Sequence, residues 1–248
     1  MNDLCKINKI DFLTSVADIE SAEKYLKYNK KILKIASDDI INYPFLEYLS
    51  SLKNKIIILS TGMATFEEIK LALKIMLNKK NTIILMHCVS VYPTKDRNIN
   101  LNRILNLKKK FNIEVGFSDH TIGLNAIYAA RSIGCRIFEK HFTLNTNDKG
   151  PDHFLSLDVN DTKKAVYFVR NFNSFFGNGK IDTQGKELIS KKNYRRSIVA
   201  NKDIKRGEII TKEKIWLRRP GTGLHPKNLN KILGKKAKKK FKINEQIK

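Results

Sequence analysis

The chain has 248 residues, enough for one large domain or a medium domain with a small one, and its 42% hydrophobic content is typical of a globular protein. No apolar run approaches about 18 residues, and residues 1–10 lack the apolar segment of a signal peptide, so we expect neither a transmembrane helix nor a secretory leader. The net charge of +24 suggests an anionic partner or an anionic small-molecule substrate.

Short apolar runs alternate with amphipathic patterns from residue 10 to residue 142. The predicted strands are 10–15, 32–37, 56–61, 82–88, 113–118 and 136–142. The predicted helices are 21–28, 44–53, 65–77, 101–111, 124–133 and 160–176. Helix-length insertions between apolar strands favour a parallel sheet with right-handed crossovers, and continuous apolar runs predict strands that are buried on both faces. Thr65 and Glu68 have the spacing of a helix capping box.

The fold class that this order predicts is α/β, with a TIM (β/α)₈-type barrel that lacks its first two β/α units. A closed barrel of this type needs eight units, and six occur here. No glycine-rich dinucleotide-binding turn follows the first strand, which argues against a Rossmann fold. After a polar, glycine-containing stretch, short alternating segments predict a small β-rich module. We therefore predict a partial barrel at 1–176, a linker at 177–189 and a β-rich domain at 190–248.

Polar residues stand at the end of nearly every predicted strand. They are Ser15, Ser37, Ser60–Thr61, His87–Tyr92, Ser118–His120 and Glu139–His141. Barrel enzymes carry their chemistry at the C-terminal ends of the strands, so this set is the predicted active site.

His120 and His141 are 21 residues apart, which is one β/α repeat, so they are predicted to lie on adjacent strand ends. Two neutral imidazoles with oxygen ligands suit Mn²⁺, Fe²⁺, Co²⁺ or Zn²⁺ better than Mg²⁺, and they leave positions open for substrate and water. The alternative is that each histidine makes only local hydrogen bonds.

A second set of strand-end residues could bind a phosphate or carboxylate. Its members are Ser15, Lys34, Ser37, Ser60 and Ser118. Hydroxyls and one ammonium can hold an anion through charge-assisted hydrogen bonds, although each serine alone could cap a turn. Lys34 lies inside the apolar run ILKIAS and needs an anionic partner if it points inward.

Other features have a structural reading as well as a functional one. Cys5, Cys88 and Cys135 are too few for a disulfide framework and predict a reduced, cytoplasmic setting; Cys88 is interpreted as an inert buried thiol.

Lysines such as Lys30, Lys31, Lys79, Lys80 and Lys108–Lys110 are interpreted as solvated surface. The run 235–242 is the candidate nucleic-acid patch, but interleaved aromatic–basic motifs are lacking, so we do not expect nucleic acid as a partner.

Seven motifs together resemble the N-acetylneuraminate (sialic acid) synthase family, which includes the legionaminate and pseudaminate synthases. They are STGMAT (60–65), HCVSVYPT (87–94), GFSDHTIG (116–123), EKHFTLN…GPDH (139–153), RRSIVA (195–200), DIKRGEIIT (203–211) and RRPGTG (218–223). The resemblance covers nearly all of the chain in the correct order. It implies a TIM barrel followed by a C-terminal antifreeze-like (SAF, β-clip) domain.

The resemblance also implies an activity. The family condenses phosphoenolpyruvate with an open-chain N-acetylated aldose, such as N-acetylmannosamine, to a nine-carbon 2-keto acid and phosphate. By motif position, His120 and His141 would hold a divalent metal, Mn²⁺ first with Mg²⁺ or Co²⁺ as alternatives. The implied phosphoenolpyruvate ligands are Ser15, Lys34, Ser37, Ser60, Ser90 and Ser118.

Four further residues receive implied roles. Tyr92 would lie near both substrates, Glu139 and Asp152 would contact the sugar with Glu139 also catalytic, and Arg219 would reach the N-acyl group in the partner subunit. The last role implies a homodimer in which each SAF domain covers the opposite active site.

The sequence departs from the family pattern at three places. LTSVAD (13–18) replaces LSTPFD, which weakens the assignment of Ser15, and Ser90 replaces an asparagine, as in some legionaminate-type relatives. Family members also carry about two β/α units before this point, with a lysine and a glutamate. Two hypotheses stay open: a synthase polypeptide that is truncated or split, and a non-catalytic subunit that binds an anionic sugar or pairs with another chain.

Overall fold

The computed structural model describes residues 1–29, 31–77 and 80–248. Lys30 and Lys79, two of the lysines interpreted above as solvated, lie outside the described residues. The chain divides into two compact units, Met1–Gly177 and Asn178–Lys248, and each is described by itself.

A five-stranded parallel sheet forms the centre of the first unit, with its strands in chain order. The strands are β1 (Ile32–Ile35), β2 (Ile56–Ser60), β3 (Thr82–Cys88), β4 (Glu114–Asp119) and β5 (Phe138–Lys140). The helices are α1 (Asn2–Ile7), α2 (Ile19–Leu26), α3 (Tyr43–Ser51), α4 (Phe66–Met76), α5 (Asn102–Phe111), α6 (Asn125–Ser132) and α7 (Val159–Asn171). Each strand is followed by a helix, which confirms the predicted β/α order.

The strand predicted at 10–15 is wrong. Only Ser15 forms an isolated bridge, to Lys34, and the amide of Val16 donates to the Lys34 carbonyl at 3.0 Å. The carbonyl of Phe12 accepts instead from the Tyr25 hydroxyl at 2.9 Å and the Asn29 amide at 3.1 Å. Side chains of α2 and the loop after it thus take the hydrogen bonds that a strand partner would make, and the segment stays irregular.

Helix α4 begins at the predicted capping box. The Thr65 hydroxyl accepts from the Glu68 amide, and the Glu68 carboxylate accepts from the Thr65 amide at 2.7 Å. Its buried residues Ile69, Ala72, Leu73 and Met76 recur at the spacing of one helix face, which packs on the sheet.

We expect Thr65→Ala to lower the free energy of unfolding by about 1 kcal/mol, because the Glu68 amide loses its acceptor at the start of α4. Urea denaturation followed by circular dichroism measures this change. Glu67→Gln is the control, since Glu67 lies in the same turn and its contact with a described side chain is an exposed ion pair with Lys70. Equal stability of Thr65→Ala and the native chain would contradict a stabilising role for the cap.

The two faces of the sheet have different residues. One face packs against the helices and is fully buried; its residues include Leu33, Ile35, Ile57, Leu59, Leu85, Val115 and Phe117. The alternate positions on the other face include Lys34, Ser60, Cys88, Ser118 and Glu139. On this second face Ile32 and Lys34 of β1 and Ile56 and Ile58 of β2 are only partly buried, so the prediction that these strands are buried on both faces is wrong. The described strands form an open sheet, and solvent reaches its inner face.

The sheet curves strongly. In a flat sheet β1 and β5 would lie about 19 Å apart, because neighbouring strands are spaced by about 4.8 Å. Lys34 Nζ on β1 nevertheless lies 3.3 Å from Glu139 Oε2 on β5. This ion pair between the first and last strands requires the barrel-like curvature that the sequence predicted, and we call the curved sheet the arc.

The second unit begins inside the predicted linker. Helix α8 (Glu187–Tyr194) occupies the last residues of the 177–189 stretch and runs into the predicted β-rich domain. Strands β6 (Ser197–Ala200) and β7 (Ile215–Arg218) are antiparallel, and a short helix α9 (Leu229–Ile232) follows. A small core of Ile198, Ala200, Ile204, Phe241 and Ile247 lies between these elements.

Basic residues concentrate in this second unit, which carries 22 of the 48 lysines and arginines and only six acidic residues. In the run 235–242 the lysine side chains are exposed, and Lys239 pairs with Glu245 at 2.8 Å. Lys31, Lys80, Lys109 and Lys110 are exposed in the first unit, and Lys108 pairs with Glu114.

Within the described ranges, no helix is long and apolar enough to cross a membrane.

Candidate active site

The carboxyl ends of the strands surround a cavity of 310 Å³. Its lining residues are Lys34, Ala36, Ser37, Asp38, Ser60, Met63, Cys88, Ser90, Tyr92, Ser118, His120 and Glu139. Most of the predicted site residues are therefore brought together at one place, as the strand-end rule predicted.

Hydroxyl groups line one side of this cavity. The Ser37 hydroxyl accepts from the Gly62 amide at 3.0 Å and lies 3.2 Å from Cys88 Sγ. Ser60 is almost fully buried, and its hydroxyl has no hydrogen-bond partner among the described residues. A buried hydroxyl without a partner is costly, so Ser60 is a group that a bound anion can satisfy.

Gly62 lies in close contact with the side of the cavity that the serine hydroxyls line. A Cβ atom there would come within 2.3 Å of Ser90 Oγ, 2.8 Å of Ser37 Oγ and 2.9 Å of Cys88 Sγ. The glycine of the STGMAT motif is thus required by the close approach of the backbone to these three side chains.

We expect Gly62→Ala to weaken binding of inorganic phosphate about tenfold or more, because displacing the hydroxyls costs about 1–3 kcal/mol of strain. Isothermal titration calorimetry on the native chain and the variant measures the change. Circular dichroism and thermal unfolding establish that the variant is folded. Unchanged phosphate affinity in a folded variant would contradict the role of the Ser37 and Ser90 hydroxyls in anion binding.

Glu139 and Lys34 form the charged side of the cavity. The Ser118 hydroxyl donates to Glu139 Oε1 at 2.8 Å, while the other carboxylate oxygen lies 3.3 Å from Lys34 Nζ. The predicted anionic partner of Lys34 is therefore Glu139 in this structure. A bound anion would have to compete with the Glu139 carboxylate for both Lys34 and Ser118.

His120 and His141 converge, as predicted. Their ring centroids are 5.5 Å apart at an interplanar angle of 78°, and the Tyr92 ring lies 4.1 Å from His120 and 5.8 Å from His141. His141 and Asp152 lie beside the cavity rather than in its lining; His141 Nδ1 is 3.6 Å from Asp152 Oδ2. On its other side, His141 lines a separate, mostly apolar cavity of 380 Å³ with residues of α6 and α7.

The protonation of these groups follows from burial. His120 Nδ1 lies 2.7 Å from the Val89 carbonyl, which can only accept, so Nδ1 carries the proton and Nε2 offers a lone pair. Burial lowers the pKa of His120 below its ordinary value, against the opposing effect of this hydrogen bond. Burial first, and then the nearby Cys88, Asp152 and Glu139, raise the pKa of Tyr92. At neutral pH the site thus presents a neutral imidazole and a phenol that can donate.

The two imidazoles fit a divalent metal. His120 Nδ1 is hydrogen-bonded to the Val89 carbonyl at 2.7 Å, which is the arrangement that orients metal-bound histidines, and His141 Nδ1 lies 3.6 Å from Asp152 Oδ2. Across the described ranges, no group of three or more His, Cys, Asp or Glu side chains is arranged to hold a metal. The chain therefore offers two nitrogen ligands, and the remaining positions would be filled by substrate and water.

Four candidate site residues from the sequence analysis do not line the cavity. Ser15 is exposed next to Lys34 and does not line the cavity, and His87 points into the helix layer, where its ring stacks on Phe117. His153 is hydrogen-bonded to Thr143 at 2.7 Å. Arg219 belongs to the second unit, where its exposed guanidinium lies 5.4 Å over the Tyr194 ring.

Three lining residues were missed, namely Ala36, Asp38 and Met63. Asp38 directly follows Ser37, so reading one residue further past the end of β1 would have found it. Met63 is exposed and has a left-handed backbone with φ of 61°, which the sequence gives no reason to expect of a methionine.

His87 makes stability depend on pH. It is fully buried, its Nε2 donates to the Ile99 carbonyl at 2.7 Å, and burial lowers its pKa. Because the folded pKa lies below the unfolded value of about 6.5, the unfolded chain takes up the proton first, and stability falls as pH drops below about 6.5. We expect His87→Gln to flatten this part of the stability–pH curve, measured by urea denaturation. An unchanged slope would contradict it.

The arc, its strand-end cavity and the separate β-rich unit define a TIM-type α/β enzyme fold with a C-terminal accessory domain. Residues 1–181 match the NeuB family and residues 195–248 match the SAF domain. The chain belongs to the NeuB family, which confirms the resemblance and the fold class predicted from the sequence.

Named relatives agree with this assignment. The chain is 38% identical to the N,N'-diacetyllegionaminic acid synthase of Campylobacter jejuni, over 96% of this chain and 72% of that protein. It is also 38% identical to a pseudaminic acid synthase of C. jejuni, over 92% of this chain and 66% of that protein. The solved N-acetylneuraminic acid synthetase of Leptospira borgpetersenii, in complex with citrate, superposes with a TM-score of 0.67 at 33% identity, covering 76% of this chain and 66% of that one.

Proposed function

We propose that this chain acts in nonulosonic acid synthesis, condensing phosphoenolpyruvate with an N-acetylated aldose to a nine-carbon 2-keto acid and phosphate. The observation that supports it best is the convergence of the His120 and His141 rings at 5.5 Å, beside a cavity that contains Lys34 and four serines. These are the groups that an aldehyde and a phosphate ester require at adjacent positions.

The phosphate and carboxylate of phosphoenolpyruvate fit the hydroxyl side of the cavity. Ser37, Ser60, Ser90 and Ser118 can donate to its oxygens, and Lys34 supplies a positive charge. On binding, the substrate replaces Glu139 at Lys34 and Ser118, which frees the Glu139 carboxylate to accept from hydroxyls of the sugar. Asp152, whose carboxylate lies 3.6 Å from His141, can serve the same purpose.

The aldehyde lies at the histidine side. His120 and His141 would hold a divalent cation, Mn²⁺ first with Co²⁺ or Mg²⁺ as alternatives, which when bound polarises the aldehyde oxygen as a Lewis acid. Tyr92 is protonated, lines the cavity and has its ring beside both histidines, so it can donate to either substrate. Carbon 3 of phosphoenolpyruvate attacks the aldehyde carbon, water adds at carbon 2, and the tetrahedral intermediate expels phosphate.

The acceptor sugar is N-acetylmannosamine or a deoxy, diacetamido analogue. Ser90, in place of the asparagine of sialate synthases, favours an analogue of the legionaminate type. Equal identity to a legionaminic and a pseudaminic acid synthase leaves both acceptors for the experiment to separate.

Phosphate release from phosphoenolpyruvate tests the proposal, with the purified chain, Mn²⁺ and a panel of N-acetylated hexoses. We expect release that depends on both sugar and metal, with the keto acid identified by mass spectrometry. Binding of phosphoenolpyruvate without release would instead support the second hypothesis, a subunit that binds ligand or pairs with another chain. If the chain neither binds phosphoenolpyruvate nor releases phosphate from it, both hypotheses are overturned.

We further propose a homodimer in which Arg219 contacts the sugar bound to the partner subunit. This rests on the family resemblance and on an exposed guanidinium in the second unit. A complementation experiment tests it: a His141→Asn chain and an Arg219→Ala chain, each inactive, are mixed and refolded together. Recovery of activity in the mixture supports a shared site, and recovery no greater than the two separate samples contradicts it.

A further inference from the structure

A buried ion pair lies directly behind the two histidines. Lys140 Nζ, the last side chain of β5, is 3.0 Å from Oδ2 of Asp119, the last side chain of β4. Lys140 is 8% exposed and Asp119 is fully buried. Each residue is the chain neighbour of a histidine of the site, Asp119 of His120 and Lys140 of His141.

The lysine holds both residues that flank His120. Its ammonium also donates to the carbonyl of Thr121, and the other Asp119 oxygen accepts from the Thr121 amide at 2.8 Å. The three residues Asp119, Thr121 and Lys140, which we call the clasp, thus close a ring of contacts around the backbone of His120. The clasp fixes the turn on which His120 stands to the strand that carries His141.

The clasp is on the opposite face of the arc from the cavity. Asp119 pairs in register with Lys140, whereas the preceding pair, Ser118 with Glu139, points into the cavity. Because side chains alternate along a strand, the clasp cannot touch a ligand in that cavity. Any effect it has on the site must act through the histidines.

Stability alone is a weak reason for this arrangement. Desolvating two charges costs several kcal/mol, and well-packed apolar residues in place of a buried pair are often neutral or stabilising. A buried pair is better suited to fixing the register of neighbouring elements, and here the fixed elements each carry one imidazole.

We propose that the clasp is a positioning device that sets the separation of the His120 and His141 rings and thereby the affinity of the site for a divalent cation. This rests on the metal role in the proposed function. Residues that orient metal-bound histidines typically contribute 10- to 100-fold to metal affinity, so we expect an effect of that size.

The test compares two variants by titration with Mn²⁺ alone, read by calorimetry and by electron paramagnetic resonance of the free ion. Lys140→Met leaves the Asp119 charge buried and unpaired, so it should be less stable and bind Mn²⁺ more weakly. The double variant Asp119→Asn with Lys140→Met removes both charges and should recover stability. We expect its affinity to remain 10- to 100-fold below that of the native chain, because the contacts around His120 are still missing.

A matched control is available at the other end of β4. Lys108 pairs with Glu114 at 2.8 Å, far from the histidines along the strand, so Lys108→Met should leave Mn²⁺ affinity within about twofold. Native affinity in the stable double variant would overturn the proposal and assign the clasp a purely structural role.

Absence of Mn²⁺ and Co²⁺ binding by the native chain would overturn the proposed metal role separately. In that case, crystal structures of the native chain and the double variant test whether the clasp sets the separation of the two rings. A ring separation that stays at the native 5.5 Å in the double variant would overturn it, and a shift of the rings would support it.

Discussion

Replacing Lys34 with methionine is expected to weaken phosphoenolpyruvate binding about a hundredfold, or about 2.7 kcal/mol. Among the described residues that line the cavity, Lys34 is the only lysine or arginine, so the substrate anion loses its main countercharge. The variant also leaves Glu139 without its cationic partner, which adds repulsion between two anions. Methionine keeps most of the side chain's length and apolar contacts, and the effect therefore reports the charge.

Calorimetric titration with phosphoenolpyruvate measures this effect, and Lys31→Met is the matched control. Lys31 directly precedes the same strand but is exposed at its opposite end, so its removal changes the net charge equally without touching the cavity. We expect the control to bind within about twofold of the native chain, since exposed charges at a distance are screened. A Lys34→Met chain that binds like the control would remove Lys34 from the site.

Replacing either His120 or His141 with asparagine is expected to weaken Mn²⁺ binding more than about a hundredfold, because these two imidazoles are the only nitrogen ligands that the described part of the chain brings to this place. Both variants should also lose sugar-dependent phosphate release. The double variant should bind Mn²⁺ at most about tenfold more weakly than the weaker-binding single variant, since one imidazole alone already holds the ion poorly.

His153→Asn is the control for this pair. His153 follows Asp152 in the chain, but its ring is bound to the Thr143 hydroxyl and does not face the cavity. We expect its Mn²⁺ affinity and phosphate release to stay within about twofold of the native values. If all three variants bound Mn²⁺ alike, the histidine pair would not be the metal site.

The strand-end rule explains why so much of the site could be predicted. Parallel strands bring their carboxyl ends to one edge, so Ser37, Ser60, Ser118 and His120 had to be neighbours once the strands were placed. The rule was wrong about Ser15, because its strand did not form. It was also wrong to include His87 at the edge, since alternation turns that ring toward the helices, where Phe117 packs on it.

The sequence by itself determined the order of strands and helices, the capping box of α4, the family and the two histidines, because these depend on local periodicity and on residue spacing along the chain. Only the tertiary structure decided that Lys34 meets Glu139, since that contact depends on the curvature of the whole sheet rather than on any one strand. The same holds for the clasp behind His120, where Lys140 reaches across to Asp119 and Thr121. Contacts between side chains on different strands depend on register and curvature, and these are fixed by packing summed over the entire unit.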